Sequence, residues 1–208
     1  MSATTDQTAI ASEVLQRYAA LPTANIGDAM DRLGIMDAGI KPVWPGARLV
    51  APAFTILTRS GDNLLVHEAL DAARPGEVVV VNGFGDTTRA LIGELIARRA
   101  MARGLAGFVI DGAVRDVDDL ARLGLPVFAR AVTPAGPYKN GPGRLQVPVA
   151  VGRLCVCPGD LVIGDSDGVA VVPRQDLWHV LGAAEEIFEN ETRKRSAITG
   201  EPALDASS

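Results

Sequence analysis

The chain has 208 residues, 48% of them hydrophobic, with 20 basic against 25 acidic side chains and a formal charge of −5. That length supports one ample domain with a proper core, and an acidic balance without a basic stripe disfavours a nucleic-acid partner. Apolar runs such as Val78–Val81 fall far short of the roughly 20 residues of a membrane span, and the opening MSATTDQTAIASEVLQRY lacks the basic start and apolar centre of a secretory signal. Cys155 and Cys157 stand one residue apart in a β-like run, a poor geometry for a disulfide. With His67 and His179 far apart, no zinc spacing exists. The reading is a reduced, cytoplasmic protein whose best-stocked metal ligands are oxygens.

From about Thr8 to Ala20, Ile10, Val14, Leu15 and Tyr18 recur at helical spacing, and residues 1–22 are taken as an N-terminal helical segment. PTANIGDAMDRLG then predicts a second helix with Thr23 as its cap and Gly34 as its stop. The later part of KPVWPGARLVAPAFTILT reads as a strand, and NLLVHEALDAARPGE as a short helix closed by Pro75 and Gly76. EVVVVNG lacks alternation and is rich in β-branched residues, the pattern of a strand buried on both faces. A helix running to about Ala102 follows, with Arg98, Arg99 and Arg103 favourable near its C-terminal end. GFVI is another buried strand, VDDLARL a short helix stopped by Gly124, and LPVFARAV a further strand. From Thr133 to Pro173 short alternating strands sit between turns, and Arg174 to about Thr199 is one long helix. Residues 23–200 are taken as a single α/β domain and 201–208 as a loose tail.

Several polar motifs invite chemistry. NGFGD, Asn82 to Asp86, is a glycine-rich turn without the three-glycine dinucleotide pattern or a P-loop Lys-Ser, so a tight turn is expected. GDSDG, Asp165 to Asp167 within it, is expected to shape a turn through its own backbone, since the twelve-residue calcium pattern ending in Glu is absent. His67 is expected to be a helix residue with a local partner. No Gly-x-Ser-x-Gly elbow occurs, and Cys157 has no local base. In GELI and IDGAVRDVDDL, Glu94 precedes Arg115 by an interval holding one helix and one strand, so the chain returns to where it began. Arg115–Asp116 by itself admits two readings. Arg115 pairs with a surface acid while Asp116 caps a helix, or Arg115 holds a substrate carboxylate while Asp116 gives a hard cation one oxygen.

GDNLLVHEALDAARPGEVVVV, GELIARRAMARGLAGFVIDGAVRD, GPYKNGPG and PGDLVIGDSDGVAVVP together resemble the family related to the regulator of ribonuclease activity A (RraA-like). That family includes class II 4-hydroxy-4-methyl-2-oxoglutarate aldolases, which also decarboxylate oxaloacetate. The resemblance runs from about Thr23 to Gly200, and its most specific part is Glu94, twenty residues, then Arg115–Asp116, with Asp119 three positions on. It implies a compact α/β sandwich of the swivelling β/β/α type, homotrimers or dimers of trimers, and a small 2-keto-acid substrate cleaved to pyruvate through a metal-stabilised enolate. The implied cofactor is Mg²⁺ or Mn²⁺, with Asp116 as direct ligand, Glu94 acting through water, and an acid from a neighbouring subunit, for which Glu191 is the choice. Arg115 would contact the keto acid, and backbone amides of Gly93, Leu95 and Ile96 would hold its carboxylate, which puts a helix start near Gly93. Lys139 and Arg144 are candidates for a second, distal carboxylate. The rival reading is a non-enzymatic regulator that binds an RNA-processing enzyme. Methyl transfer lacks its glycine motif here.

Overall fold

This computed structural model describes residues 10–200, which form six α-helices and ten strands. The first third of the chain forms α1 (Ser12–Ala19), α2 (Thr23–Asp28), β1 (Lys41–Pro42), β2 (Leu49–Thr58) and α3 (Leu64–Ala72). The middle forms β3 (Val78–Ile92), α4 (Glu94–Ala102), β4 (Gly107–Val114), α5 (Val117–Leu123) and β5 (Val127–Val132). Three short strands follow, β6 (Gly143–Leu145), β7 (Val149–Val151) and β8 (Leu154–Val156). Then come β9 (Leu161–Asp165), β10 (Gly168–Val172), a 3₁₀ turn (Arg174–Asp176) and α6 (Leu177–Thr199).

The main sheet runs β1-β5-β4-β3-β2-β9-β10, with β6 added beside β2. Pairings among β2, β3, β4 and β5 are parallel, and the rest of the sheet is antiparallel. Strand β2 belongs to both halves. Leu49–Pro52 pair with β9, whereas Ala53–Leu57 pair with β3.

Side-chain alternation along these strands divides the core in three. Val79, Val81, Phe108 and Ile110 face α3, α4 and α5. Val78, Val80 and Val109 turn the other way, onto Val162, Val169 and the β7–β8 hairpin. The far side of β9 and β10, through Leu161, Ile163, Ala170 and Val172, is covered by α1, α2 and α6. The result is a single α/β domain in which two halves of a sheet face each other and helices cover the outer faces. The continuous apolar runs are explained by this arrangement, since β3 and β4 bury both faces.

Four expectations need correction. The first helix starts at Ser12, and residues 1–9 and the expected tail 201–208 lie outside the described residues. Thr23 is not a cap: Pro22 holds that position, and Thr23 is the first helical residue. The second helix stops at Asp28 rather than Gly34, because Asp31 and Arg32 take positive φ and turn the chain early. NGFGD does not end its strand. Asn82 to Asp86 lies inside the long β3, with Phe84 and Gly85 at positive φ and a break in register between Asn82 and Asp86. No helix among the described residues is long and apolar enough to cross a membrane.

One half-buried polar cluster ties the halves together. Arg130 of β5 donates to both oxygens of Asp37 and to Asp111 Oδ1 (2.6 Å), and Asp111 Oδ2 accepts the Gly152 N–H. The Arg130 guanidinium, opposed by burial and helped by the Gly39 N–H, holds the Asp37 carboxyl below its ordinary value. A depressed folded-state pKa stabilises above the unfolded value of about 4 and loses that contribution as pH falls through the folded value. Urea unfolding at pH 7 and pH 3 should therefore show the advantage of wild type over Arg130→Met shrinking at the lower pH; an unchanged gap would contradict this role.

Candidate active site

Strands β3 and β4 run parallel and end together, with Ile92 opposite Val114. The chains leaving them, Gly93 and Arg115, emerge side by side, and the Arg115 N–H donates to Ile92 O at 3.0 Å. Outside the carboxyl ends of parallel strands is where open α/β sheets place ligands. From Gly93 the chain turns into α4. From Asp116, at φ 58, it turns into α5. A left-handed conformation is costly for a residue with a β-carbon and tends to persist where surrounding contacts enforce it.

Here the enforcing contact is visible. Asp116 occupies the position before α5 but its side chain does not cap that helix. It turns instead to the neighbouring helix, where Oδ2 accepts the Glu94 N–H at 3.0 Å. Arg115 Nε lies 3.7 Å from the same oxygen. Among the described residues Asp116 Oδ1 has no hydrogen-bond partner. The approach is so close that a β-carbon on Gly93 would stand 2.3 Å from Asp116 Oδ2 and 2.9 Å from Arg115 Cγ. Glycine is needed there for space.

Glu94, Arg115 and Asp116 thus do meet, as the twenty-residue interval suggested, and all three border a hollow of about 370 Å³. Gly93, Leu95 and Ile96 line it as well, at the N-terminus of α4. The first N–H groups of a helix have no intrahelical acceptor. That of Glu94 is taken by Asp116, while among the described residues those of Leu95 and Ile96 have no acceptor and stand at the positive end of the helix dipole. Asp119, paired with Arg122, completes the acidic side, and Glu94 is paired with Arg98.

Other walls carry Asn63, which the sequence did not single out, beside His67 and Lys139, which it did. Asn63 donates from Nδ2 to Leu91 O at 2.9 Å, fixing the end of β3. His67 is a helix residue as expected, but its partner is not local: Arg99, 32 residues on in α4, places Nη1 3.0 Å from Nδ1. Arginine can only donate, so Nδ1 accepts and the proton of the neutral ring sits on Nε2. Burial first, then the charges of Lys139 and Arg99, hold the His67 pKa below its ordinary value, which favours that neutral ring. Lys139 reaches the hollow from a distant loop. Arg144, the other distal candidate, is exposed on β6 and does not line it. Glu191 lies on α6, where Asn25 first and then Arg195 hold its pKa down, and it does not line the hollow either. GDSDG shapes the β9–β10 turn as expected, with the Asp167 N–H on Asp165 Oδ1 at 2.9 Å.

The donor set bears on which cation would fit. Among the described residues no three His, Cys, Asp or Glu side chains converge to enclose a metal. Glu94, Asp116 and Asp119 nevertheless border one hollow, and Asp116 has an oxygen to spare. That suits a hard ion that keeps most of its water and takes few carboxylates, as Mg²⁺ does, and does not suit a softer or fully caged one.

Residues 23–171 match the Aldolase/RraA family, RraA-like. The chain belongs to that family. It is 38% identical over 187 residues to a protein of Halalkalibacterium halodurans named "Putative 4-hydroxy-4-methyl-2-oxoglutarate aldolase", covering 90% of this chain and 89% of that one. Among solved structures it superposes on an uncharacterized protein from Pseudomonas syringae with a TM-score of 0.81 at 30% identity, covering 96% and 98% of the two chains. The RNA-processing inhibitor RraA from Thermus thermophilus gives a TM-score of 0.67 at 33% identity, covering 73% of this chain and 92% of that one. Family membership accounts for the fold, while the roles of individual residues rest on the geometry above.

Gly93 offers a direct check of that geometry. Gly93→Ala should drive the Asp116 carboxylate off the Glu94 N–H and destabilise the protein by roughly 1–3 kcal/mol, the usual cost of overpacking. Stability equal to wild type in chemical unfolding would show that the corner is looser than described.

Proposed function

We propose that this chain is a divalent-metal-dependent lyase that cleaves 2-keto acids of the 4-hydroxy-4-methyl-2-oxoglutarate type to pyruvate and also decarboxylates oxaloacetate. The observation that carries this reading is the convergence of a helix N-terminus, a guanidinium and a carboxylate with one free oxygen on a single hollow. Relatives named as aldolases support the lyase chemistry.

Both reactions break a C–C bond beside a keto acid and leave the enolate of pyruvate, so the site has one task. It must hold a carboxylate and meet negative charge as it develops on the keto oxygen. In this reading the N–H groups of Leu95 and Ile96 hold the pyruvyl carboxylate. Arg115, fixed by its backbone bond to Ile92, offers positive charge to the developing enolate. Its side chain is 43% exposed, so it is open to a ligand. Asp116 would hold Mg²⁺ or Mn²⁺ directly and Glu94 would act through water; the bound cation supplies Lewis-acid stabilisation of the enolate charge. In retro-aldol cleavage the Glu94 carboxylate, through an intervening water, takes the substrate hydroxyl proton, and in both reactions the same relay delivers a proton to the enolate carbon. Lys139 and the Nε2–H of His67 suit the remaining carboxylate of a keto diacid. A lysine Schiff base is not required, since Arg115 and the cation meet the enolate charge; of the three lysines, Lys139 borders the hollow and Lys41 and Lys194 do not.

The second reading is a regulator that binds an RNA-processing enzyme, favoured by the likeness to the Thermus thermophilus inhibitor. Pyruvate release from oxaloacetate separates the two. Turnover with Mg²⁺ should vanish with EDTA and fall by about two orders of magnitude or more in Asp116→Asn, the scale of losing a preorganised charge stabiliser. Asn tolerates the left-handed backbone, so the variant should keep its fold. Equal rates in wild type and variant would reject the lyase reading.

A further inference from the structure

Asp62 lies in the connection between β2 and α3 and is 0% exposed. A buried carboxylate is costly unless hydrogen bonds satisfy it. Here Oδ1 accepts the Leu64 N–H at 2.9 Å, and Oδ2 accepts those of Asn140 at 2.7 Å and Gly141 at 2.9 Å. Burial alone would raise its pKa; these three N–H groups, with Arg59 nearby, bring it below the ordinary value, so it stays ionised. Further backbone bonds lie alongside: Asn63 N–H to Tyr138 O at 3.0 Å, Tyr138 N–H to Gly61 O at 2.8 Å, and Arg59 N–H to Pro142 O at 3.1 Å. The loop 138–142 is thus fastened to residues 59–63, and Lys139 sits within it with both neighbours tied down. Its side chain borders the hollow, as do those of Asn63 and His67 from the same start of α3.

We propose that Asp62 is a positioning residue for substrate recognition: it acts through Lys139, clamping the loop so that the ammonium meets the substrate carboxylate remote from the keto group. The inference rests on the lyase reading above and adds to it how the distal end of a keto diacid is read. A long flexible lysine on a free loop would lose much of its binding contribution to ordering; a clamped loop reduces that loss. A purely structural Asp62 would lower stability without a selective effect on the Michaelis constant.

The test has two arms. In wild type, amide hydrogen exchange at Asn140 and Gly141 should be slow, and fast exchange there would overturn the clamp even if the variant fails to fold. In steady-state assays with oxaloacetate, Asp62→Asn and Lys139→Ala should each raise KM about tenfold, and kcat should fall less than about threefold in Asp62→Asn, the pattern of lost substrate binding. The double variant should be no worse than Lys139→Ala, as expected for residues acting as a unit. A wild-type KM in either single variant, or additive losses in the double, would overturn the proposal. Wild type that releases no pyruvate with Mg²⁺ or Mn²⁺ would overturn the lyase reading instead, a result distinct from an active wild type matched by D62N.

Discussion

A hydrogen bond from the Glu94 N–H to Asp116 Oδ2 joins two corners of the sheet that the chain reaches one βα unit apart. A carboxylate on a helix N-terminus is favourable both as a charge-assisted bond and through the helix dipole. That bond fixes the direction of the carboxylate, holds Asp116 in its left-handed backbone, and requires glycine at position 93. It also divides the labour of one side chain: Oδ2 belongs to the fold, and Oδ1 is left facing no protein partner among the described residues. The remaining features of the site follow from that corner, with Arg115 beside it and the open N–H groups of α4 next along.

The surrounding layers make the corner rigid. Strands β3 and β4 bury both faces, one against α3, α4 and α5 and the other against the opposite half of the sheet. The ladder shifts register along the way but closes on the buried pair Ile92 and Val114, which anchors the residues that leave both strands. A site that works by meeting charge with fixed charge depends on such rigidity, because groups that must reorganise lose much of their advantage. The distal wall is built differently. Lys139 belongs to a loop, and its location depends on a buried carboxylate more than seventy residues earlier in the chain.

Much of this was legible in the sequence, and the reasons are physical. The unbroken β-branched run at Val78–Val81 read as a doubly buried strand, and one helix plus one returning strand allowed Glu94 to come near Arg115. Gly124 ends α5 in the left-handed conformation that glycine favours. The features that were not legible depend on distant contacts. The left-handed Asp116 is imposed by α4, which no local pattern announces. Strand β2 changes partners midway, and its composition barely changes at the switch. NGFGD looked like a strand end, yet the ladder resumes beyond its positive-φ residues. Thr23 had the chemistry of a cap, and Pro22 took the place. The bonds of Asp62 were not legible either, since its donors at Asn140 and Gly141 lie too far along the chain to be guessed.

The proposed chemistry depends most on Asp116 holding a hydrated divalent cation through the oxygen that the fold leaves unused. Mn²⁺ binding followed by water-proton relaxation addresses that without any turnover, since a bound ion that keeps its waters enhances their relaxation. Wild type should bind Mn²⁺ with marked enhancement, competed by Mg²⁺, and Asp116→Asn should lose it while retaining its fold. Equal binding and enhancement in the two proteins would contradict the account at its centre.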